Sequence, residues 1–555
     1  MTVRTETNVN TPPRKPARAR GASALMVGAG VFMSRIAGLV RTRVFAHFLG
    51  NSDAANAFQA AIRIPNILQN LLGEGVLSAS FIPVYARLRA EGQTHLAARV
   101  AGIVASLLAL VVSIVVLIGV LVTPLMVDVI APGFHDEKRQ LTIQLVQIMF
   151  PGIGLFVFSA WCLGILNSHR QFFISYVAPV FWNLAMIGTL IVFGGREPLN
   201  PLAATLAWGS VVGALLQFGV QLPFIFLVKT SDGKSIGHGI VPGLDTSLEP
   251  VRQIFKNLGP VVVSRGVVQI SAFVDSCIAS LLGSAVSGLG YAQILYTLPI
   301  SLFGMSIAAA ELPEMSSVLG TSEEIHAKLR MRLVNGKRTI AFYVIPCVCG
   351  FLILGKYCVA GLFQTGIFGP QDTLYVWYIL MGSTVGLLAA TWGRLYSSVF
   401  YALRDTRTPL RFAIVRVVLT GVLGVLFAFP LRPAINGSLR MLHFQIPQMP
   451  DAELSLGAVG LTLSAGIAGW IEFLLLRRAL QQRIGSTALP NHYPSKIWFA
   501  ALCASAAGWG AGELIHFRLH WLNLAVVLIA FGIDYAAITL LLRIPEAQAF
   551  LRRFR

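Results

Sequence analysis

Long apolar runs separated by short polar segments dominate the chain from residue 23 to residue 543. A membrane-spanning helix needs about 20 apolar residues, and three runs, 103–127, 171–195 and 198–228, contain no charged residue at all. The pattern predicts an all-α, polytopic membrane protein with fourteen transmembrane helices. They are predicted near 23–49, 54–86, 99–127, 141–167, 172–194, 200–228, 253–283, 286–318, 337–366, 372–402, 409–430, 455–480, 495–516 and 521–543.

Glycine residues predict a turn and a helix break within these apolar runs. The uncharged run 276–310 is divided at GSAVSGLG (283–290), because its glycines and serines indicate a turn. Glycines on both sides of Glu74 predict a break in the second helix, which would let backbone line a cavity.

Composition agrees with a membrane protein. The chain is 55% hydrophobic and 12% charged, and its mean hydropathy is +0.72. A soluble fold of 555 residues would need more polar surface than this. The net charge of +19 does not indicate nucleic-acid binding, because the basic residues lie mainly between apolar runs.

The basic residues also predict the orientation of the chain. One set of alternate segments carries 29 Lys and Arg residues, and the other set carries six. The six are Lys138, Arg139, Arg196, Arg432, Arg440 and Arg518. Because basic loops stay in the cytoplasm, this bias predicts an even number of spans with both termini cytoplasmic.

A weak internal repeat predicts the domain organisation. The matches are Ser34-Arg35 with Ser264-Arg265, Leu49-Gly50 with Leu282-Gly283, and Ile64-Pro65 with Leu298-Pro299. They predict two six-helix lobes related by a pseudo-twofold axis. The predicted parts are a basic disordered cytoplasmic tail (1–22), an N-lobe (23–228), a cytoplasmic linker (229–252), a C-lobe (253–480), and helices 13 and 14 with a basic tail (481–555).

The first predicted helix carries Arg35, Arg41 and Arg43. An arginine at the centre of a membrane helix costs about 2.5–3.5 kcal/mol on insertion scales, so each needs a partner, a wet cavity or a helix end. On an ideal helix Arg35 and Arg43 lie about 80° apart, and Arg41 points about 120° the other way. We expect Arg43 to extend to the membrane interface, Arg41 either to do so or to face a cavity, and a bend at Gly38 if one face presents all three.

Intramembrane arginines suit an anionic substrate. The guanidinium group is a planar fork that matches phosphate oxygens, and the candidates are Arg35, Arg41, Arg63 and Arg265. Glu74 either contacts the substrate or is neutralised by Arg35 or Arg63. No nucleophile and base pair, metal-binding helix or phosphate-binding loop has catalytic spacing, so we expect a protein that is not an enzyme.

Several motifs resemble one family. The stretch SRIAGLVRTRVFAHFLG, followed by RIPNILQNLLGEGVLSASFIPVYARL, is similar to the first two helices of the MurJ (MviN) family of lipid II flippases. Further matches are APGF (131–134), GILNSHRQF (164–172), QISAFVDSCIAS (269–280), LFQTGIFGPQD (362–372) and FYALRDTRTP (400–409). The resemblance implies a fourteen-helix transporter with a central cationic cavity and a lipid-tail groove near helices 13 and 14.

The resemblance assigns roles to four residues and leaves three positions open. Arg35 and Arg41 match the arginines of the family's first helix, Arg63 matches a basic residue before Pro-Asn, and Glu74 matches an acid. Charges common in relatives are absent at three positions, which are Thr42, Gln69 and Ile294. Either Arg265 compensates, or the headgroup differs, or activity is altered.

The resemblance also suggests an energy source, which is either sodium or the membrane potential. Asp275 and Asp405 match acids that hold sodium in some relatives, and Val417 and Thr420 lie where further ligands are expected. Oxygen ligands of this kind suit a hard cation. The alternative for Asp405 is that it caps the start of helix 11.

These observations predict a flippase that moves lipid II by alternating access across the bacterial cytoplasmic (inner) membrane. Flippases for other undecaprenyl-diphosphate-linked glycans and a transport-inactive scaffold of the same fold remain alternatives. An exporter of cationic drugs is disfavoured, because basic cavity residues repel cations. We expect a monomer that contacts membrane lipids and cell-wall synthesis proteins, does not bind nucleic acid, and has no cofactor beyond a coupling ion.

Overall fold

The computed structural model describes residues 17–227, 233, 235, 237–317, 321–441, 444–448, 452–515 and 517–552. Helices form nearly all of this part of the chain. The first helix begins at Ala17, so the predicted disordered tail 1–22 is too long. Residues 1–16 of that tail lie outside the described residues.

Seven helices form what we call the first lobe. They are α1 (Ala17–Leu49), α2 (Asp53–Leu72), α3 (Glu74–Ala90), α4 (Thr94–Ile130), α5 (Asp136–Ser168), α6 (Phe172–Phe193) and α7 (Leu199–Leu227). The closest packing within this lobe joins α5 to α7 and α1 to α6.

The helices that follow form what we call the second lobe. They are α8 (Glu249–Ser280), α9 (Ala285–Pro299), a π-helical segment (Ile300–Met305), α10 (Ser306–Ser316), α11 (Ser322–Ile353), α12 (Gly355–Phe363), α13 (Pro370–Thr384), α14 (Leu387–Ala402), α15 (Arg407–Ala428), α16 (Arg432–Met441), α17 (Ala452–Ser455) and α18 (Gly457–Ile484). Three more helices follow, α19 (Tyr493–Leu514), α20 (His520–Leu541) and α21 (Pro545–Arg552). The first two pack on each other and on α11 and α12.

The predicted class is confirmed: the chain is an all-α, multi-pass membrane protein. Within the described residues, eleven helices are long and apolar enough to cross a membrane. Side chains on their outer faces are large and apolar, for example Leu117 and Leu121 on α4, which are 63% and 71% exposed. Such faces belong in lipid. The predicted spans near 23–49, 253–283 and 495–516 coincide with α1, α8 and α19, which are not among the eleven. The count of fourteen stays a prediction.

The predicted break beside Glu74 is confirmed. The second predicted span is two helices, because α2 ends at Leu72 and α3 begins at Glu74. Gly73 lies between them, and a Cβ atom there would come within 2.4 Å of the carbonyl oxygen of Gln69. Only glycine fits this close approach. The run 276–310 is divided as predicted, but the turn is residues 281–284, because α8 ends at Ser280 and α9 begins at Ala285. Residues 285–290 of the predicted turn are helical.

The helix that contains the ninth predicted span begins before residue 337. Helix α11 begins at Ser322, because Thr321 and Glu324 form a capping box. The Thr321 hydroxyl accepts a hydrogen bond from the backbone N–H of Glu324, and the Glu324 carboxylate accepts one from that of Thr321. The basic residues between 322 and 337 therefore lie on a helix that extends beyond the apolar run.

The two lobes are joined at the α1–α2 turn, in a region we call the lobe junction (Gly50, Asn51 and Asn56 with Ser287 and Tyr291). The Tyr291 hydroxyl donates to the carbonyl oxygen of Gly50 over 2.6 Å. The backbone N–H of Ser287 donates to the side-chain oxygen of Asn56 over 3.0 Å, and its hydroxyl donates to Asn51. The lobes are therefore in contact at this end.

Candidate functional site

Two arginines of α1 contact the second lobe. Arg35 is exposed, and its Nη1 donates to the hydroxyl of Ser301 over 3.0 Å. Ser301 lies in the π-helical segment, and such segments are frequent at functional sites. Arg43 donates to the carbonyl oxygens of Gly361 and Leu362 over 2.6 and 2.8 Å.

Arg43 binds the end of a helix of the second lobe, and its predicted position at the membrane interface stays a prediction. Its two acceptors belong to the last turn of α12, where carbonyl groups lack helical partners and carry partial negative charge. Arg43 is therefore held by the opposite lobe.

Arg41 points the other way, as the helix geometry predicts. Its guanidinium lies over the ring of Trp182 in α6, 4.7 Å from the ring centroid. The Trp182 indole N–H donates to the hydroxyl of Ser210 over 3.2 Å, which fixes the ring. Helix α1 runs without interruption through Gly38. No bend is needed there, because the three arginines contact different elements and do not share one face.

Arg63 of the first lobe faces an acid of the second lobe. Asp275 in α8 interacts electrostatically with Arg63 in α2 and with Arg416 in α15. One Asp275 carboxylate oxygen is buried and has no hydrogen-bond partner among the described residues. This carboxylate therefore interacts electrostatically with a cation of each lobe.

Two further arginines, which the sequence analysis did not select, lie on the second lobe. Arg416 forms an ion pair with Glu472 of α18 over 3.4 Å. Glu472 also interacts electrostatically with Arg394 of α14. Both arginines lie inside predicted spans, so the argument applied to Arg35 would have found them. Their pairing with Glu472 has no signature in sequence spacing.

An open apolar groove of about 930 Å³ lies between α2, α8 and α15. Its lining includes Ile67, Leu71, Phe273, Val422 and Val425. The charged residues of α8 and α15 point elsewhere. At 100° per residue, Asp275 is about half a turn from Phe273, and Arg416 is about half a turn from Val425. The groove therefore marks the outer side of these helices.

The residues predicted to bind sodium do not converge on one point. Asp405 precedes α15, whereas Thr420 lies 13 residues beyond the first residue of that helix, or about 20 Å along its axis. One ion cannot bind both. Asp275 faces two arginines, and a site at Asp275 and Thr420 alone stays a prediction. We derive no step through a coupling ion.

Asp405 instead caps α15, so the alternative interpretation is confirmed. One carboxylate oxygen accepts the backbone N–H groups of Arg407 and Thr408, each over 3.0 Å. The other accepts the Thr408 hydroxyl over 2.7 Å and pairs with Arg483 over 2.7 Å. The Thr408 hydroxyl, more than any other contact, lowers the pKa of Asp405 to about 2.

The side chains of Glu74 and Arg265 lie outside the described part of the structure, although their backbones belong to α3 and α8. Their predicted contacts with the substrate stay predictions.

A family model described as "Lipid II flippase MurJ" matches residues 45–435 of the chain. The chain belongs to the MurJ family. A "Probable lipid II flippase MurJ" from Rhizobium tropici is 30% identical over 465 residues, which cover 83% of this chain and 80% of the relative. Another from Vibrio cholerae is 30% identical over 530 residues, covering 93% and 92%.

Solved structures agree on the fold. A structure titled "Lipid II flippase MurJ, inward closed conformation" matches with a TM-score of 0.71 and 21% identity, covering 93% of this chain and 99% of the other. An inward-facing multidrug resistance MATE family transporter matches with a TM-score of 0.59 and 18% identity, covering 84% of this chain. Both similarities concern the fold alone.

Three positions of this MurJ family member lack the charge that the family pattern led us to expect. Thr42 is buried, and its hydroxyl donates to the carbonyl oxygen of Gly38 over 2.9 Å. Gln69 and Ile294 are half-buried on α2 and α9. Any anion-binding charge must therefore come from other positions.

Proposed function

We propose that this chain translocates lipid II across the bacterial cytoplasmic membrane, as a transporter and not as an enzyme. The observation that carries the proposal is the contact between Arg35 of the first lobe and Ser301 of the second lobe, over 3.0 Å, in a member of the MurJ family. An exposed cation where the lobes meet is suited to bind the diphosphate of a lipid-linked precursor.

Transport would proceed by alternating access. The lobes are in contact at the lobe junction, where Asn56 and Tyr291 make hydrogen bonds across them. Opening this junction would expose the arginines to the other side of the membrane. The first and second lobes would move largely as rigid bodies.

The membrane potential favours the outward step in this proposal. The diphosphate is negative and moves away from the negative interior, which is worth about 2.3 kcal/mol per elementary charge at 100 mV. A potential-driven flippase needs no coupling ion, and sodium coupling is the alternative. An ionophore that collapses the potential should slow transport, whereas removal of sodium should not.

The orientation that goes with this function has both termini in the cytoplasm and the lobe junction on the periplasmic side. The charge bias of the loops supports it. Reporter fusions at residues 136 and 322 should report opposite sides of the membrane. Two fusions on one side would contradict the orientation.

Complementation tests the proposed function. Bacterial cells depleted of their own lipid II flippase should grow when this chain is produced in the membrane. Failure at normal membrane levels would contradict the proposal. Such a failure would leave two alternatives, a flippase for another polyprenyl-diphosphate-linked glycan or a transport-inactive scaffold, which the uncharged Thr42, Gln69 and Ile294 favour.

A further inference from the structure

Arg416 faces the interior of the protein from the middle of a membrane helix. It is the tenth of the 22 residues of α15. Its face of α15 contains buried residues, whereas the opposite face contains exposed apolar ones. The buried residues are Pro409, Thr420 and Gly424, and the exposed ones are Val415, Val418 and Val422. Arg416 therefore does not point into lipid.

Among the described residues, the acids near Arg416 do not use all of its hydrogen-bond donors. Its distance of 3.4 Å to Glu472 is longer than the roughly 2.7–2.9 Å of a charge-assisted hydrogen bond. The Arg416 side chain is 42% exposed and that of Glu472 is 17% exposed. Arginine has five N–H donors in a planar fork. Arg416 therefore keeps accessible N–H donors that Glu472 does not use.

Among the described residues, three arginines and two acids form a wider cluster around Arg416. Arg63, Arg394 and Arg416 are linked electrostatically to two acids, Asp275 and Glu472. Asp275 interacts electrostatically with Arg63 of the first lobe and with Arg416 of the second lobe. A phosphate group could interact with the same two arginines, because carboxylate and phosphate both offer paired oxygens to a guanidinium.

We propose that Arg416 is a ligand of the second lobe for the diphosphate of a prenyl lipid. The inference rests on the proposed function and names the residue that supplies charge where Thr42, Gln69 and Ile294 do not. Glu472 competes with the phosphate oxygens for Arg416 and is displaced from it when the lipid binds.

The test uses the purified full chain in detergent and four variants. They are Arg416→Gln, Arg416→Lys, Glu472→Gln and the double variant Arg416→Gln with Glu472→Gln. The probes are farnesyl diphosphate and inorganic diphosphate, and the measurement is their affinity. The matched control is Arg440→Gln, which breaks an ion pair with Glu453 at 2.8 Å on the exposed α16. Thermal unfolding of each variant reports folding separately from binding.

Arg416→Gln should weaken binding of farnesyl diphosphate about tenfold or more, which is about 1.4 kcal/mol. The double variant should bind as weakly, whereas Glu472→Gln should bind at least as tightly as the parent. Arg416→Lys keeps the charge and loses the fork, so it should fold normally and bind less tightly. Arg440→Gln should bind like the parent.

A purely structural ion pair gives the opposite pattern. In that case both single variants would unfold at lower temperature, and the double variant would recover parental stability and affinity. That result, or parental affinity in Arg416→Gln, would overturn the inference. Equal parental affinity for the two probes would overturn the assignment to a lipid, because only the prenyl compound offers a chain for membrane helices.

Failure of the inference and failure of the proposed function give different results. Full complementation by Arg416→Gln at normal membrane levels would overturn the inference and leave the function intact. Alternatively, the parent could bind farnesyl diphosphate without complementing, and Arg416→Gln could lose that binding. This pair of results would leave the inference intact and overturn the proposed function.

Discussion

Replacing Asn56 by alanine should open the lobe junction. Asn56 is fully buried, and its side-chain oxygen accepts the backbone N–H of Ser287 over 3.0 Å. Ser287 is the third residue of α9, and the first four N–H groups of a helix have no partner within it. Asn56→Ala leaves this N–H unpaired while the lobes are in contact. In an open junction, water would pair it.

The size of the effect follows from that unpaired donor. Leaving a buried donor without a partner costs about 1–3 kcal/mol. Because the cost applies only to the closed junction, the ratio of open to closed protein should rise about 5- to 150-fold. The other Asn56 bond, from its side-chain nitrogen to the carbonyl oxygen of Ser52 over 2.9 Å, lies within the first lobe and should not affect this ratio.

The assay is a distance measurement between the lobes. Spin labels at Arg196→Cys in the first lobe and Met441→Cys in the second lobe, in a background without the native cysteines, should show a larger long-distance population in Asn56→Ala. Asn183→Ala is the matched control, because its amide donates to Pro179 of its own helix over 2.9 Å. Equal distance distributions for the parent and Asn56→Ala would refute the reasoning.

Three further predictions concern single charges. Arg35→Ala and Arg41→Ala should reduce lipid flipping without loss of membrane insertion, measured by transport and by membrane content; full complementation by both would contradict a cationic cavity. Arg265→Ala should abolish flipping, and added Ile294→Arg should partly restore it; wild-type activity of Arg265→Ala would rule this out. Asp405→Asn should lower the melting temperature near neutral pH. The folded pKa of Asp405, about 2, lies below its usual 3.8, so its stabilisation is present above the usual value and disappears as the pH falls through about 2. The difference in melting temperature between parent and variant should shrink over that range, and a constant difference would contradict it.

Local physical rules predicted much of the fold. Apolar runs identified the helices, glycine predicted the break at Gly73, and helix periodicity placed Arg41 on the opposite side from Arg35 and Arg43. Each of these features depends on neighbours within a few turns of the chain. The early start of α11 was also readable, because Thr321 and Glu324 have capping-box spacing.

Long-range pairing was not predictable from the sequence. Arg43 meets carbonyl groups of Gly361 and Leu362, more than 300 residues away, and Arg416 meets Glu472 across two helices. Such contacts depend on how helices distant in sequence pack together, which periodicity does not determine. Mean hydropathy also did not draw attention to Arg416, because one charged residue hardly changes the mean hydropathy of an apolar run.

Flipping by the purified chain in liposomes tests the central claim most directly. Fluorescent lipid II is placed in both leaflets, and a membrane-impermeant quencher is added outside. With the parent chain, lipid II from the inner leaflet should move outward and be quenched almost completely, whereas Arg35→Ala liposomes should be quenched more slowly. Quenching limited to the outer leaflet with the parent chain would contradict the claim that it translocates lipid II.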